Sequence, residues 1–162
     1  MPTANIKVHA GQISASGKRF AIVASRFNDF MVANLIDGAV DGLVRTGAKE
    51  SDLEIFRCPG AFEIAGITRR LADAGRFDGI VCLGVVIRGA TPHFDLVVGQ
   101  ATAAVAAIAA EGKVAIGNGI VACENMEQAI ERAGSKAGNR GFDAAMVAAE
   151  MAQLYATAFT NK

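Results

Sequence analysis

The residues with the clearest means of doing chemistry lie between Arg88 and Asp95, in the run RGATPHFD. Thr91 is a good helix N-cap, and Pro92 suits the first helical position because its missing N–H would have no partner there. His93 then falls in the first turn, where orphan N–H groups and the helix dipole present positive potential. The turn before it, opened by Gly89 and the small Ala90, can offer backbone N–H groups to a phosphate. The same potential disfavours imidazolium, so His93 is expected to stay neutral and able to accept a proton. Asp95, two residues further on, does not share a helix face with His93 and makes a doubtful dyad partner. Arg88 either joins the anion site or pairs with a surface carboxylate.

Other chemistry-bearing residues are more ambiguous. Glu63, three residues after Gly60, falls in a first helical turn where a carboxylate is favoured by the dipole; it could equally accept hydrogen bonds from a polyol. Phe27 precedes the plausible N-cap Asn28 and reads either as a hydrophobic staple or as a platform for a planar ring. Arg132, Lys136 and Arg140 form a basic series among Gly134, Gly138 and Gly141, which a solvated helix end explains. The Gly-Ser-Lys at 134–136 lacks the ending of a P-loop and follows a helix rather than a strand. No dinucleotide fingerprint opens any helix.

The elements that must position these residues alternate in kind. Arg19–Ser25, Leu53–Arg57, Gly79–Ile87 and Val114–Ala122 are apolar runs of strand length. Between and after them come helical patterns. The first carries Val32, Leu35, Ile36, Ala39 and Leu43 and stops at Gly47; the second carries Ile64, Ile67 and Leu71. Leu96–Ala110 is alanine-rich and stops at Gly112, and Glu124–Ala133 is short. Gly134–Gly141 reads as a loop, and Phe142–Phe159 as a closing helix with Met146 or Val147, Met151 and Leu154 inward. Such alternation predicts an α/β fold with a parallel sheet covered by helices on both faces. Ligands then bind beyond the carboxyl ends of the strands. Phe27 and Asn28, Pro59–Glu63, Arg88–His93 and Asn118 all fall near such ends, so one pocket edge could gather them. Gly117 and Gly119 in the fourth strand mark close approach of a backbone or ligand.

A chain of 162 residues suits a single domain over 18–162. Residues 1–17, with a weak alternation at Ile6–Ala10, read as an arm or a strand lent to a neighbour. Sixteen basic and sixteen acidic side chains leave no net field to recruit nucleic acid or an anionic membrane. The absence of a signal-peptide pattern, and of any apolar run that reaches the ~20 residues needed to span a bilayer, leads to a cytoplasmic expectation. Cys58, Cys82 and Cys123 sit in or beside apolar stretches and read as buried thiols rather than a disulfide or metal set.

Four motifs in order, RFND at 26–29, PGAFEI at 59–64, LGVVIRGATPHFD at 83–95 and EQAIERAGSKAGNRG at 127–141, resemble the 6,7-dimethyl-8-ribityllumazine synthases over nearly the whole chain. The resemblance implies a flavodoxin-like three-layer sandwich. It implies condensation of 5-amino-6-(ribitylamino)uracil with 3,4-dihydroxy-2-butanone 4-phosphate in riboflavin biosynthesis, with no metal and no organic cofactor. Carried onto this chain, Phe27 would stack on the pyrimidine, while Asn28, Ala61, Phe62, Glu63, Val86 and Ile87 would hold ring and ribityl chain. Gly89, Ala90, Thr91 and Arg132 would bind the phosphate, and His93 would move protons. Asn118 and the loop near Lys136 would reach across a subunit interface. The implied partners are copies of the chain, as a pentamer or a sixty-subunit capsid, and riboflavin synthase. Asn118 stands where the family often has phenylalanine, and Arg140 where lysine is frequent. The first departure motivates an alternative reading as a flavin- or lumazine-binding protein with little turnover.

Overall fold

The structure, a computed structural model, describes residues 5–159. Four strands, β1 (Phe20–Ser25), β2 (Leu53–Cys58), β3 (Gly79–Ile87) and β4 (Ala115–Cys123), form an all-parallel sheet in the order β2-β1-β3-β4. Five helices complete the α/β sandwich: α1 (Asp29–Arg45), α2 (Ile64–Ala74), α3 (His93–Ala110), α4 (Met126–Arg132) and α5 (Arg140–Ala158). The alternation of side chains along each strand sorts the core into two layers. Phe20, Ile22, Ala24, Val81, Leu83 and Val85 pack with α1 and α5; Ala21, Val23, Ile80 and Cys82 pack with α2 and α3. β1 and β3, flanked on both faces, are apolar runs for that reason, with Ser25 at the end of β1 the exception.

The stretch 134–141, read as a loop, instead folds into a small antiparallel ribbon, β5 (Ala133–Ser135) and β6 (Gly138–Asn139), and α5 starts at Arg140. Gly134 and Gly138 hold φ of 105° and 78°, the left-handed region in which glycine turns the chain without strain. The inward face of α5 also differs from expectation. Gly141, Ala144, Ala145, Ala148, Ala149 and Ala152 are buried, Met146 and Met151 only flank the core, and Val147 is exposed. The cause is close approach: Cβ atoms added at Gly117 and Gly141 would overlap the carbonyl oxygens of Ala144 and Leu35. Large side chains cannot enter so narrow a seam. Thus the glycine at 117 marks a neighbouring backbone rather than a ligand.

Ile6–Ala10 forms no strand within this chain, and Ile6 and Val8 are exposed; residues 1–4 of the expected arm lie outside the described residues. From Gly11 onward the segment is packed, with Gly11 against Glu150 and the Ala15 N–H donating to the Thr46 carbonyl at 3.0 Å. The 18 residues of α3 are apolar enough by length and composition to cross a membrane, with a mean hydropathy of 1.4. Its buried side, Phe94, Ala101, Val105 and Ile108, packs in this domain, and Leu96 stays exposed.

The three cysteines are free and buried. Burial pushes the Cys82 thiol up to about 12, against the smaller opposing effect of its contact with Thr68 Oγ1 at 3.3 Å. A thiol whose folded pKa is raised favours the protonated folded state. Its contribution is complete below the unfolded value and is lost as pH rises towards about 12. Cys82→Ala should therefore flatten the alkaline fall in unfolding free energy by up to about 1.4 kcal/mol per pH unit between the two pKa values. Urea titrations of both proteins from neutral to alkaline pH read this directly, and parallel slopes would reject it.

Candidate functional site

The sheet order places the connections leaving β1 and β3 on opposite sides of neighbouring strands, and a crevice opens beyond their carboxyl ends. A cavity of about 660 Å³ lies there. Phe27 enters it from the end of β1, and Gly60, Ala61, Phe62 and Glu63 from the turn after β2. Val85, Val86 and Ile87 supply the end of β3; Gly89, Thr91, His93, Phe94 and Val97 supply the next turn and the start of α3. Nine of the residues proposed from sequence are thereby brought together.

Phe27 is 71% exposed and Phe62 62%, so neither ring is held in the core and Phe27 is no staple. Two exposed aromatics beside one cavity suit a flat ligand. The Phe27 backbone is fixed by its N–H donating to Pro59 O at 3.0 Å and by the Arg26 N–H donating to Cys58 O at 2.7 Å. Asn28 does stand at the start of α1, but its side chain does not cap it. The residue adopts left-handed dihedrals, φ 58° and ψ 43°, and Nδ2 donates to Val85 O at 2.8 Å. Asparagine tolerates that conformation better than most residues. The amide therefore ties the platform loop to β3, whose end lines the cavity. Arg57 strengthens the same corner by donating to Ser25 O at 3.1 Å and pairing with Asp29.

Glu63 closes a short 3-10 turn, Ala61–Glu63, that precedes α2, and Oε2 accepts the Gly60 N–H at 2.9 Å. That bond holds the carboxylate at the cavity wall with its other oxygen available. Thr91 makes no capping hydrogen bond; Pro92 already has helical dihedrals, and its carbonyl accepts the Asp95 N–H at 3.1 Å. The N–H groups of Gly89, Ala90 and Thr91 find no protein acceptor among the described residues, and the space beside Gly89 is open. Three free N–H donors next to a helix N-terminus form a receptor for an anion. Ala90 contributes backbone only and does not line the cavity.

The single pocket edge expected from sequence is two separate sites. Asn118, Arg132 and Arg140 line a second cavity of about 210 Å³ with Gly119, Ile120, Val121 and Ala122, and the two cavities share no residue. The reason is position along the sheet. Asn118 stands midway along β4, level with Cys82 of β3, and it and Ala122 are exposed, whereas the cavity of His93 lies beyond the carboxyl end of β3. Asn118 Oδ1 accepts the Ile120 N–H at 3.1 Å. Arg132 donates to Gln128 O at 3.1 Å, and Arg140 to Asp143 at 3.0 Å. Lys136 is exposed on the ribbon and lies 3.8 Å from Glu131. Arg88 does not enter either cavity; it pairs with Asp95 and Glu124 at 3.1 and 2.7 Å. Those hydrogen bonds, to Glu124 first and Asp95 second, push its pKa above the usual arginine range. No group of three or more histidine, cysteine or acidic side chains that could hold a metal occurs among the described residues.

Val85, Phe94 and Val97 belong to the larger cavity but did not stand out in the sequence, while Gly60 was included only within the stretch Pro59–Glu63. For Val97 a signal existed, since it follows His93 by four residues and shares its helix face. Arg140 was visible as one of a basic series and as a position where the family frequently has lysine.

The family model for 6,7-dimethyl-8-ribityllumazine synthase matches residues 17–156. A protein of that name from Chlorobaculum tepidum is 51% identical over 145 residues, 90% of this chain and 94% of the relative. Those from Chlorobium phaeobacteroides and Prosthecochloris aestuarii are 51% and 47% identical over 150 residues, 93% of this chain and 97% of each relative.

Proposed function

The chain belongs to the 6,7-dimethyl-8-ribityllumazine synthase family, and from that premise we propose how its residues divide the work of the reaction. The enzyme condenses 5-amino-6-(ribitylamino)uracil with 3,4-dihydroxy-2-butanone 4-phosphate and releases phosphate and water, a transfer step in riboflavin biosynthesis. The observation that carries the assignment is the meeting of the unpaired Gly89–Thr91 N–H groups, His93 and two exposed aromatic rings at one cavity.

In this reading Phe27 and Phe62 flank the pyrimidine, and Ala61, Val86 and Ile87 meet its edges. The free oxygen of Glu63 accepts hydrogen bonds from the ribityl hydroxyls. Asn28 holds Phe27 in place through Val85. The phosphate sits on the Gly89–Thr91 turn, where negative charge is stabilised by the N–H groups and the dipole of α3. His93, in the first turn of that helix, carries protons during imine formation, phosphate elimination and ring closure. Holding both substrates in reacting geometry supplies much of the rate, up to roughly 7 to 11 kcal/mol in favourable cases.

The smaller cavity is the complementary half of a neighbour's site. Its arginines line a cavity apart from His93, and Arg132 and Lys136 of one copy would meet the phosphate turn of another, with Asn118 covering the ring. The exposed Ile6, Val8 and Leu96 and the uncovered alanine-rich side of α3 suit burial between copies. We assign a pentamer, with a sixty-subunit shell built from it and riboflavin synthase as its partner. A cytoplasmic location accords with three free, buried thiols. Asn118 lies outside the cavity of His93, so it removes none of the groups needed for turnover.

Glu63→Gln should mainly weaken the ribityl substrate and Arg132→Ala the phosphorylated one, each by about 1.5 to 3 kcal/mol for a lost charged hydrogen bond. Steady-state measurements varying each substrate in turn separate the two. Equal effects of both variants on both substrates would overturn the division.

A further inference from the structure

The guanidinium of Arg88 makes four hydrogen bonds to two carboxylates. Nε donates to Glu124 Oε2 at 2.7 Å and Nη2 to Oε1 at 3.4 Å; Nη1 donates to Asp95 Oδ2 at 3.1 Å and Nη2 to Oδ1 at 3.3 Å. Its plane also lies over the ring of Phe94, with Cζ 4.3 Å from the centroid. The Arg88 backbone N–H donates to Cys123 O at 2.9 Å. One residue thus joins the end of β3, the first turn of α3 and the loop after β4. Exposed ion pairs taken singly hold little. A forked, stacked arginine is different, because lysine cannot reproduce two planar pairings and a ring contact together.

The pieces that Arg88 joins surround the anion turn. Gly89–Thr91 follow it directly and have no hydrogen bonds of their own among the described residues to hold them, while Phe94 lines the cavity beside His93. We propose that Arg88 is a positioning residue: it locks the first turn of α3 to the loop after β4, keeping the Gly89–Thr91 N–H groups and His93 aimed at the phosphorylated substrate without touching the phosphate. This rests on the assignment of that turn as the phosphate receptor.

The sign of a carboxylate substitution separates positioning from direct contact. If Arg88 were itself a phosphate ligand, restrained by its two partners, releasing it would tighten the anion. If it positions the turn, releasing it loosens the turn. Arg88→Met, and the Asp95→Asn, Glu124→Gln double variant, should each raise KM for 3,4-dihydroxy-2-butanone 4-phosphate about ten-fold, the scale of a small misplacement. KM for the ribityl substrate should stay within about two-fold, and Arg88→Lys should recover less than half of the loss. The double variant alters only exposed side chains and stays informative if Arg88→Met folds poorly.

A lowered or unchanged KM for the phosphorylated substrate in the double variant overturns the proposal. So do an equal loss for both substrates that tracks melting temperature, and full recovery by lysine. Thr91→Asp, measured alongside, tests the parent assignment, because a carboxylate on that turn repels a phosphate held by its N–H groups. If it weakens the phosphorylated substrate while the double variant does not, positioning alone fails; if neither moves it, the phosphate assignment fails as well.

Discussion

Replacing His93 by alanine is expected to lower kcat by about 10- to 100-fold, at or below the low end of what a positioned proton carrier contributes. The proposed role of His93 is to carry protons, and its imidazole lies in the larger cavity, at the start of α3 and beside the anion turn. The effect is bounded because the alanine variant keeps Phe27, Glu63 and the Gly89–Thr91 turn. Those groups orient the substrates, and orientation persists without the imidazole. KM for each substrate should therefore change by less than about three-fold, since an interaction confined to the transition state leaves ground-state binding alone. Following the lumazine chromophore against the uncatalysed reaction measures both parameters. An unchanged kcat, or a loss carried entirely by KM, would remove His93 from the proton steps.

Gly141→Ala should have the largest effect on folding, a loss of about 3 kcal/mol or more in unfolding free energy. A Cβ there would overlap the Leu35 carbonyl oxygen and lie 2.7 and 2.9 Å from the Leu35 carbonyl carbon and Cα. Those are backbone atoms in the middle of α1, and they cannot turn aside as a side chain would. Relief requires α1 and α5 to separate, which opens the layer that includes Leu35, Ala39, Ala145 and Ala148. The same crossing is held by Asn139, whose Oδ1 accepts the Gly141 and Phe142 N–H groups while Nδ2 donates to Asn34 O at 2.8 Å. Gly66→Ala provides the contrast: that position is in α2 with nothing within 4 Å of an added Cβ. There the substitution should stabilise by up to about 1 kcal/mol through helix propensity. Urea midpoints for the two variants should move in opposite directions, and a Gly141→Ala midpoint equal to the parent's would refute the close-packing account.

Much of the fold was legible because it is encoded locally. Apolar runs of strand length, helical spacing and stop signals such as Gly47 and Gly112 placed the four strands within a residue or two of where they lie. The strand-turn-helix from Gly79 through His93 could be read because its strand, turn and first helical turn depend on neighbours in sequence. The motifs also carried the family resemblance, and with it the reaction.

What only the tertiary structure decided involves partners distant along the chain. Asn28 looked like a cap, and its amide instead goes to Val85, 57 residues away. Arg88 was open between an anion and a carboxylate; the approach of the loop after β4 supplied Glu124 and settled the choice. The methionines of α5 looked inward until the proximity of α1 restricted that seam to glycine and alanine. Asn118, read as falling near a strand end, lies midway along β4 level with Cys82, and with Arg132 it lines another cavity than that of His93. Spacing within a segment reports what that segment prefers. Which groups meet is set by strand order and helix separation, and those follow from the packing of the whole core.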